Sequence, residues 1–468
     1  MITDNIADTL KKEFLKQALN LSLNLSDKNL IRIIEIAESL LPVDHSVKLT
    51  VRAVKEAFKK KHPSVQLAKN IFRNSSKNCK NKFVENLIVN AGILGVKKQN
   101  QLSKKLGFGL PWFFVVSPTA RCNLDCVGCY AGGYTKSEGL SFREVDRIFK
   151  EAKELGMYFV TISGGEPFLW PPLFKILEKH NDMYFLIYTN GTLITKEIAK
   201  KLAKVGNAAP GISVEGFEKE TDQRRGKGIF QKIMAAMDNL KEAGALFGFS
   251  ATPTKLNSEI IMSNEFIDLM IKKGCVFGWL FQYVPIGRKP DVGLMATPEQ
   301  RNRLRLRVKE IRAKEPIFIG DFWNDGPYVR GCLAGARPGG YFHINCEGDV
   351  EPCVFLQFSV DNIKGKRLVD VIQSPFFKAI QKSQPYCQNK NLLTPCALID
   401  NPWILREVVK KYNAKPSYNG GNEVIEEPGV IKFLDDYSKK LKDITDPIWE
   451  KEFSPHYKHW KDGPASKS

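Results

Sequence analysis

Short apolar runs alternate with amphipathic helical segments from residue 111 onward, and this alternation restricts the fold more than any other feature of the sequence. A helix between successive strands is typical of a parallel βα sheet or barrel. There are six such runs, too few to close an eight-stranded barrel, so we expect an α/β fold with an open, partial (β/α)6 barrel. The runs span residues 112–116, 158–162, 184–188, 210–214, 247–251 and 276–283.

Capping signals place helices between these runs. Ser141 followed three residues later by Glu144 predicts a capping box, in which each side chain accepts the other residue's backbone N–H. Thr195 opens another helix that Gly206 ends, and Thr297, followed by proline, opens a basic helix. The predicted helices therefore begin and end between the strands, as a βα fold requires.

Composition divides the chain into four regions. Residues 1–110 have helical spacing, and residues 51–110 hold 14 Lys or Arg against two acids. Residues 111–315 form the predicted barrel. Residues 316–400 lose its periodicity and gain glycine, proline and five cysteines, so we expect a site rather than an apolar core to organise them. Residues 401–468 form a charged tail with helical stretches.

Three cysteines, Cys122, Cys126 and Cys129, lie within eight residues directly after the first predicted strand. Their loop is at the C-terminal end of that strand, the face where βα barrels carry chemistry. Three thiolates on one loop can hold three irons of a cubane cluster and leave the fourth iron open to a ligand. The alternative is a set of buried structural cysteines or part of a zinc site, for which nothing nearby supplies a fourth ligand.

This cysteine spacing resembles the signature of the radical S-adenosylmethionine (radical SAM) superfamily, and the resemblance extends over about residues 111–290. The family's aromatic residue before the third cysteine is Gly128 here, which leaves Tyr130 as the candidate for contact with adenine. Other segments that follow predicted strands resemble the family's contacts with the methionine amino group, the ribose and the carboxylate. These candidate cofactor-binding residues are Gly164, Gly165, Glu166, Pro167, Asn190, Ser213, Glu215 and Arg225.

The resemblance implies an oxidoreductase with a 4Fe-4S cluster that reductively cleaves S-adenosylmethionine to a 5′-deoxyadenosyl radical. Such a radical abstracts hydrogen from unactivated carbon, while the barrel holds the substrate and excludes water. It also implies a low-potential electron donor such as flavodoxin or ferredoxin. The residues themselves indicate no acid–base group, and Asp321 and Asp325 are only candidates for that role.

A second cysteine group lies in the region 316–400. Cys332, fifteen residues, Gly348, four residues and Cys353 resemble the first half of the SPASM or twitch extension of radical SAM proteins, which ligates an auxiliary 4Fe-4S cluster. We therefore expect a cysteine-rich C-terminal auxiliary cluster domain, although a structural zinc knot is the alternative. A fully cysteine-ligated cluster would transfer electrons, whereas one with an open site would bind substrate. The candidate ligands are Cys332, Cys353, Cys387 and Cys396, with Cys346 as either a fifth ligand or a buried thiol.

The net charge of +19 predicts attraction to an anionic partner. Val47, Val51, Val54 and Phe58 form an apolar stripe beside lysines, a pattern typical either of an interfacial helix on anionic lipid or of a solvated helix packed on the barrel. Nucleic acid is disfavoured, because few aromatic residues interleave the charges. Since no apolar run approaches the ~20 residues that span a bilayer, we expect a cytoplasmic protein without a transmembrane segment, peripheral at the membrane at most.

These features together predict a radical SAM enzyme of unidentified substrate. We place a lipid or polyprenoid first, on the basic amphipathic helices, and peptide maturation second. The alternative from another class is a non-catalytic iron–sulfur electron carrier or a nucleic-acid-binding protein.

Overall fold

The computed structural model of the protein describes residues 55–385 and 390–457. Seven strands pair in parallel, in chain order, and the six apolar runs provide the first six of them, which confirms the predicted α/β class. The strands are β1 (Phe113–Val116), β2 (Phe159–Ile162), β3 (Tyr184–Thr189), β4 (Ala208–Ser213), β5 (Gly248–Ala251), β6 (Phe277–Leu280) and β7 (Phe318–Asp321).

The sheet continues past β1 into the cysteine-rich region. Strand β8 (His343–Ile344) pairs in parallel with β1, and β9 (Asp349–Glu351) pairs antiparallel with β8. Two further short strands follow, β10 (Phe358–Ser359) and β11 (Asp361–Asn362), and β11 pairs with β9. The order β11-β9-β8-β1-β2-β3-β4-β5-β6-β7 leaves β7 and β11 at opposite edges, so the sheet is open.

Two parallel strands, β7 and β8, exceed the six that periodicity predicted. Strand β7 has four residues and begins at the exposed Phe318, and β8 has two residues. Strand β8 is too short to show a period of two, because alternation needs about four to eight residues to be recognised, and β7 ends in Gly320 and Asp321 rather than in an apolar run. The sheet therefore extends into the region 316–400, where the sequence shows no barrel periodicity.

The described part of the basic N-terminal region is helical, as predicted, and covers the end of the sheet opposite the cysteine loop. Asn86 donates to the carbonyl of Met183, just before β3 (2.8 Å), and the Trp112 indole donates to Ala91 (3.3 Å). Most of the apolar stripe at residues 47–58 lies outside the described residues. The helices are α1 (Pro63–Asn74), α2 (Lys77–Lys82), the π-helical segment Phe83–Gly95 and α3 (Val96–Leu106).

The helices between the strands begin at the predicted caps. Ser141 and Glu144 form the capping box, and the Thr195 side chain accepts the N–H of Ile198 in a helix that ends at left-handed Gly206. Their amphipathic faces pack on the sheet and bury its apolar residues in one core. The helices are α4 (Phe142–Glu154), α5 (Leu173–Lys179), α6 (Lys196–Val205), α7 (Glu218–Arg225), α8 (Ile229–Ala243), α9 (Asn264–Lys273) and α10 (Pro298–Lys314).

A buried ion pair joins the barrel to the last cysteine segment. Arg301 of α10 and Asp400 form two hydrogen bonds of 2.5 and 3.1 Å, and neither side chain is exposed. Asp400 also accepts the N–H of Cys396 (3.0 Å), so the ion pair fixes the position of that cysteine. The helices that complete the chain are α11 (Gly326–Val329), α12 (Leu368–Val371), α13 (Pro375–Lys382), α14 (Pro402–Tyr412), α15 (Glu423–Glu426), α16 (Pro428–Ile448) and α17 (Ser454–Tyr457).

Within residues 55–385 and 390–457, no helix has both the length and the apolar character needed to cross a membrane.

Candidate active site

The cysteine loop after β1 lies directly against the glycine-rich turn after β2. Gly165 N–H donates to the carbonyl of Thr119 and Glu166 N–H to that of Arg121, both at 2.8 Å. A Cβ at Gly165 would lie 2.2 Å from the Arg121 oxygen, and one at Gly164, whose φ is +121°, would lie 2.3 Å from that of Thr119. Both positions therefore need glycine for the two loops to approach this closely.

Replacing Gly165 by alanine is expected to push the glycine-rich turn away from the cysteine loop, because the new methyl group would overlap backbone atoms. Equilibrium binding of S-adenosylmethionine to the reconstituted protein should weaken by about tenfold or more, a loss of ~1.4 kcal/mol. Gly92→Ala is the matched control, since its Cβ would meet only the Leu87 oxygen at 3.4 Å. Equal affinities for the two variants would show that the close approach is irrelevant to cofactor binding.

Four cysteine sulfurs in the two cysteine groups accept a hydrogen bond from the backbone N–H of the residue two positions later in the chain. This arrangement suits a metal-bound thiolate, which has no proton and only accepts hydrogen bonds. By contrast, Cys346 and Cys79 are placed as thiol donors, to the carbonyls of Thr135 (3.9 Å) and Ala203 (3.8 Å). The accepting pairs are Cys122 with Leu124 (3.4 Å), Cys332 with Ala334 (3.5 Å), Cys353 with Phe355 (3.4 Å) and Cys396 with Leu398 (3.3 Å).

Side chains from the other strand ends surround the cysteine loop. Asn190 Nδ2 lies 3.8 Å from Cys122 Sγ, and Arg225 Nη1 lies 4.0 Å from Cys126 Sγ. Burial raises the pKa of both the Cys122 and the Cys126 thiols. Iron binding would therefore have to displace their protons, as metal binding to thiols generally does.

Two carboxylates that the sequence indicated as cofactor contacts are hydrogen-bonded within the protein. Glu166, fully buried, accepts Thr189 Oγ1 (2.7 Å) and Asn190 N–H (2.8 Å), and burial raises its pKa. It thereby ties the end of β2 to the end of β3. Glu215 accepts the guanidinium Nε of Arg225 (2.9 Å) and the N–H of Thr252 (3.0 Å). Both carboxylates thus hold the strand ends in place.

The other sequence candidates lie at the same end of the sheet. Ser213, at the end of β4, lies 3.2 Å from Ser250 through their hydroxyl oxygens, and both are partly or fully buried. The Tyr130 hydroxyl is hydrogen-bonded to Ser163 (2.7 Å), directly before Gly164. Pro167 begins a short 3-10 turn for which Glu166 provides the cap. The structure therefore brings the predicted cofactor residues together around the cysteine loop.

Besides Tyr130, aromatic rings that sequence analysis missed lie beside this loop. Tyr188 of β3 contacts Phe281, just after β6, at a ring distance of 5.3 Å. Two strands separate β3 from β6, which would place them roughly 14 Å apart in a flat sheet, so the contact indicates a curved sheet with these rings on its concave face. We call the set the aromatic lining, and it comprises Tyr130, Tyr188, Trp279, Phe281, Phe322 and Phe355.

The auxiliary group assembles from three separate segments. The thiols of Cys353 and Cys396 both interact electrostatically with Cys332, and burial raises the pKa of Cys353 to about 12. Cys387 lies outside the described residues. Cys346 packs instead with Ala120, Ala131 and Tyr134, and burial raises its pKa to about 12. The structure thus brings together three of the five candidate ligands and places Cys346 elsewhere.

A buried polar network joins the auxiliary region to both ends of the cysteine loop. His343 of β8 is hydrogen-bonded to Ser117 (2.7 Å), directly after β1, and to Glu351 of β9 (2.6 Å). The Tyr134 hydroxyl, just after the loop, donates to both Glu351 oxygens (2.9 and 3.0 Å). Because an unpaired buried charge is costly, this network holds the two cysteine regions in one arrangement.

The two acid–base candidates contact helix α10 and its surroundings. Asp321, at the end of β7, accepts Asn324 Nδ2 (2.6 Å), and burial raises its pKa to about 6. Asp325 pairs with Arg312 of α10 through two hydrogen bonds of 2.8 and 2.5 Å. Both carboxylates are therefore held by hydrogen bonds, Asp321 to Asn324 just after β7 and Asp325 to Arg312 of α10.

In the part of the chain that the structure describes, no three His, Cys, Asp or Glu side chains are arranged to hold a single metal ion. A cubane cluster needs a different geometry, because each thiolate binds a different iron. The hydrogen bonds to the cysteine sulfurs fit such a cluster.

Two family profiles match the chain over these regions. Residues 116–254 match the radical SAM superfamily, and residues 332–397 match SPASM, an iron–sulfur cluster-binding domain. The second match favours an auxiliary cluster over the zinc knot.

Relatives of known activity show the same combination. The chain is 26% identical over 317 residues to an AdoMet-dependent heme synthase of Oleidesulfovibrio alaskensis, which covers 59% of this chain and 80% of the relative. It is 30% identical over 250 residues to the mycofactocin maturase MftC of Mycobacterium tuberculosis, with 51% and 63% covered. The structure of Streptococcus suis SuiB bound to S-adenosylmethionine superposes with a TM-score of 0.53 at 22% identity, covering 64% of this chain and 75% of SuiB, and shows the same fold.

Fold and site together define an iron–sulfur enzyme that uses S-adenosylmethionine. The chain contains a radical SAM domain over residues 116–254 and a SPASM domain over residues 332–397. Its cofactors are accordingly S-adenosylmethionine, a 4Fe-4S cluster and auxiliary iron–sulfur centres, and the non-catalytic alternatives are set aside.

Proposed function

We propose that this enzyme abstracts a hydrogen atom from an apolar substrate held against the aromatic lining, and we place a lipid or polyprenoid first. The observation that supports this proposal is the aromatic lining. It begins at Tyr130, next to Cys129, and continues through Phe355, two residues after Cys353. A substrate bound there would lie between the two cysteine groups, and apolar surface buried against these rings contributes roughly 25 cal/mol per Å2 to binding.

The residue roles in this proposal follow the contacts. Cys122, Cys126 and Cys129 hold the cluster, which with S-adenosylmethionine supplies a 5′-deoxyadenosyl radical when both are bound. The two glycines of the β2 turn admit the methionine amino group, and Ser213 and Arg225 contact the ribose and the carboxylate. Glu166 positions Asn190, and Glu215 positions Arg225, through the hydrogen bonds described above. Cys332, Cys353, Cys387 and Cys396 hold the auxiliary cluster.

Radical SAM enzymes need an electron donor. We propose flavodoxin or ferredoxin as the low-potential donor for this one.

The reaction is tested by anaerobic reconstitution, reduction with dithionite and measurement of 5′-deoxyadenosine with and without added substrates. We expect a polyprenyl or acyl lipid to accelerate its formation, and a lipid deuterated at the reacting carbon to transfer deuterium into the 5′-deoxyadenosine. Phe281→Ala removes a central ring of the lining and should raise the apparent KM by about 3- to 10-fold, as aromatic contacts are worth ~0.5–1.5 kcal/mol. Phe433→Ala, which removes a partly buried ring on α16, is the control.

A second candidate substrate class comes from the relatives. The likeness to MftC favours peptide maturation, and that to the heme synthase favours a flat macrocycle, which an aromatic lining would also suit. The same assay with a short peptide and with an iron porphyrin decides between them. Acceleration by either one, with none by lipid, would exclude the lipid proposal.

Iron content tests the proposed auxiliary ligands. Two cubanes predict about eight irons per chain, and alanine at Cys332, Cys353, Cys387 and Cys396 should leave about four. Cys346→Ala should keep all of them, since its sulfur faces Thr135 rather than the other thiols. Zinc at one per chain, or iron loss in Cys346→Ala, would contradict this ligand set.

Binding to anionic vesicles tests the lipid proposal at the basic N-terminal region. Each Lys or Arg near an anionic surface contributes on the order of 1 kcal/mol to binding. High salt shortens the electrostatic screening length from ~8 Å to ~3 Å. Vesicle binding should therefore fall steeply at high ionic strength. Reversal of Lys55, Lys59 and Lys60 to Glu should abolish it with cofactor cleavage unchanged. The control reverses Lys432, Lys439 and Lys440 of α16. Absence of wild-type binding at low salt would remove this support for lipid.

A further inference from the structure

Tyr341 is hydrogen-bonded to one proposed auxiliary ligand and to the residue that follows another. Its hydroxyl lies 2.8 Å from Cys353 Sγ, and its backbone N–H donates to the carbonyl of Leu333 (2.8 Å), the residue after Cys332. The side chain is only 2% exposed. Its ring stacks on Phe113 of β1 at 5.1 Å with an interplanar angle of 13°. The phenol is therefore held in one orientation toward Cys353.

The direction of this hydrogen bond follows from the chemistry of the sulfur. A thiolate bound to iron has no proton, so in the loaded protein the Tyr341 hydroxyl is the donor of the pair. The sulfur already accepts the N–H of Phe355 (3.4 Å), and a hydroxyl donor adds to that backbone bond. Cys332 and Cys396 accept the backbone N–H groups of Ala334 (3.5 Å) and Leu398 (3.3 Å).

A donor to a cluster sulfur acts on the two redox states unequally. Reduction adds one negative charge to the cluster and its thiolates, and a hydrogen bond stabilises the more negative state more strongly. The reduction potential therefore rises. This effect is local, because the hydroxyl faces Cys353, whereas the cysteine loop after β1 has its own donors in Leu124 and Asn190.

We propose that Tyr341 tunes the auxiliary cluster, raising its reduction potential through the hydroxyl hydrogen bond to Cys353. The proposal rests on the function proposed above, in which Cys353 is a cluster ligand. A higher potential makes the auxiliary cluster a better electron acceptor than it would be without this hydrogen bond.

The test is a redox titration of the reconstituted holoenzyme followed by electron paramagnetic resonance, with Tyr341→Phe compared with wild type. The midpoint potential of the auxiliary cluster should become more negative, while that of the S-adenosylmethionine cluster and the iron content stay unchanged. Tyr184→Phe is the matched control, because Tyr184 is equally buried, 3% exposed, but packs against Phe83 on another part of the sheet. An unchanged auxiliary potential at full iron content would overturn the proposal.

A fluorinated tyrosine placed site-specifically at position 341 keeps the ring and strengthens the donor. It should move the same potential in the positive direction, which tests the proposal even if Tyr341→Phe fails to assemble its cluster. A shift that is absent, or negative, would show that Tyr341 only packs. Failure of the ligand assignment is recognised separately, because a Cys353→Ala variant would then keep its auxiliary iron.

Discussion

Replacing Cys122, Cys126 and Cys129 together by alanine is expected to abolish cleavage of S-adenosylmethionine completely and to leave the auxiliary iron in place. The loop would then have no thiolate for the cluster, whereas the auxiliary cysteines are held by separate segments and by the Arg301–Asp400 pair. Cleavage is measured as 5′-deoxyadenosine after reduction with dithionite, and iron by chemical analysis, which should fall from about eight to about four per chain.

The matched control for this variant replaces three other cysteines by alanine. Cys79, Cys275 and Cys346 are all buried, and Cys79 and Cys346 donate to carbonyl groups. This triple variant should retain both kinds of cluster and the cleavage activity. Cleavage that survives in the first variant would contradict the cofactor site, and iron loss in the control would contradict the separation of ligands from ordinary thiols.

Arg301→Ala is expected to be the most destabilising single substitution proposed here. Asp400 would remain buried without its guanidinium partner, and breaking a buried ion pair in this way typically costs about 3–5 kcal/mol. Unfolding by urea should move to a lower midpoint by a corresponding amount. Auxiliary iron should be lost as well, because Asp400 accepts the N–H of Cys396.

Arg303→Ala on the same helix provides the comparison. Arg303 pairs with Glu259 at the surface, where the two side chains are 57% and 61% exposed, and such pairs contribute about 0–1 kcal/mol. The double variant Arg301→Met with Asp400→Leu should recover much of the stability, since apolar replacement of a buried pair is often neutral. Equal effects of Arg301→Ala and Arg303→Ala would show that the buried pair has no special role.

The barrel strands were predictable because each is a contiguous apolar run followed by a capped helix. β8 was not, because a strand of two residues shows no period, and β7 was not, because its run ends in Gly320 and Asp321 rather than in apolar residues. The aromatic lining was missed for a related reason, since Tyr188 and Phe281 are far apart in the chain. The alternate spacing of Trp279 and Phe281 in the sixth apolar run was the signal that could have indicated it.

The sequence alone determined where the cofactor chemistry lies. Cysteine spacing, the paired glycines and the strand that precedes each of them are local features, and a strand's C-terminal end follows from its position in the chain. The tertiary structure decided which groups meet. Cys346 lies in the same segment as Cys353 yet faces Thr135, and Glu166 and Glu215 are held by neighbours from other strands. Tyr341 lies opposite Cys353 because β8 and β9 pair antiparallel, with His343 opposite Glu351. Hydrogen-bond partners depend on segments that folding brings together, and no local spacing specifies them.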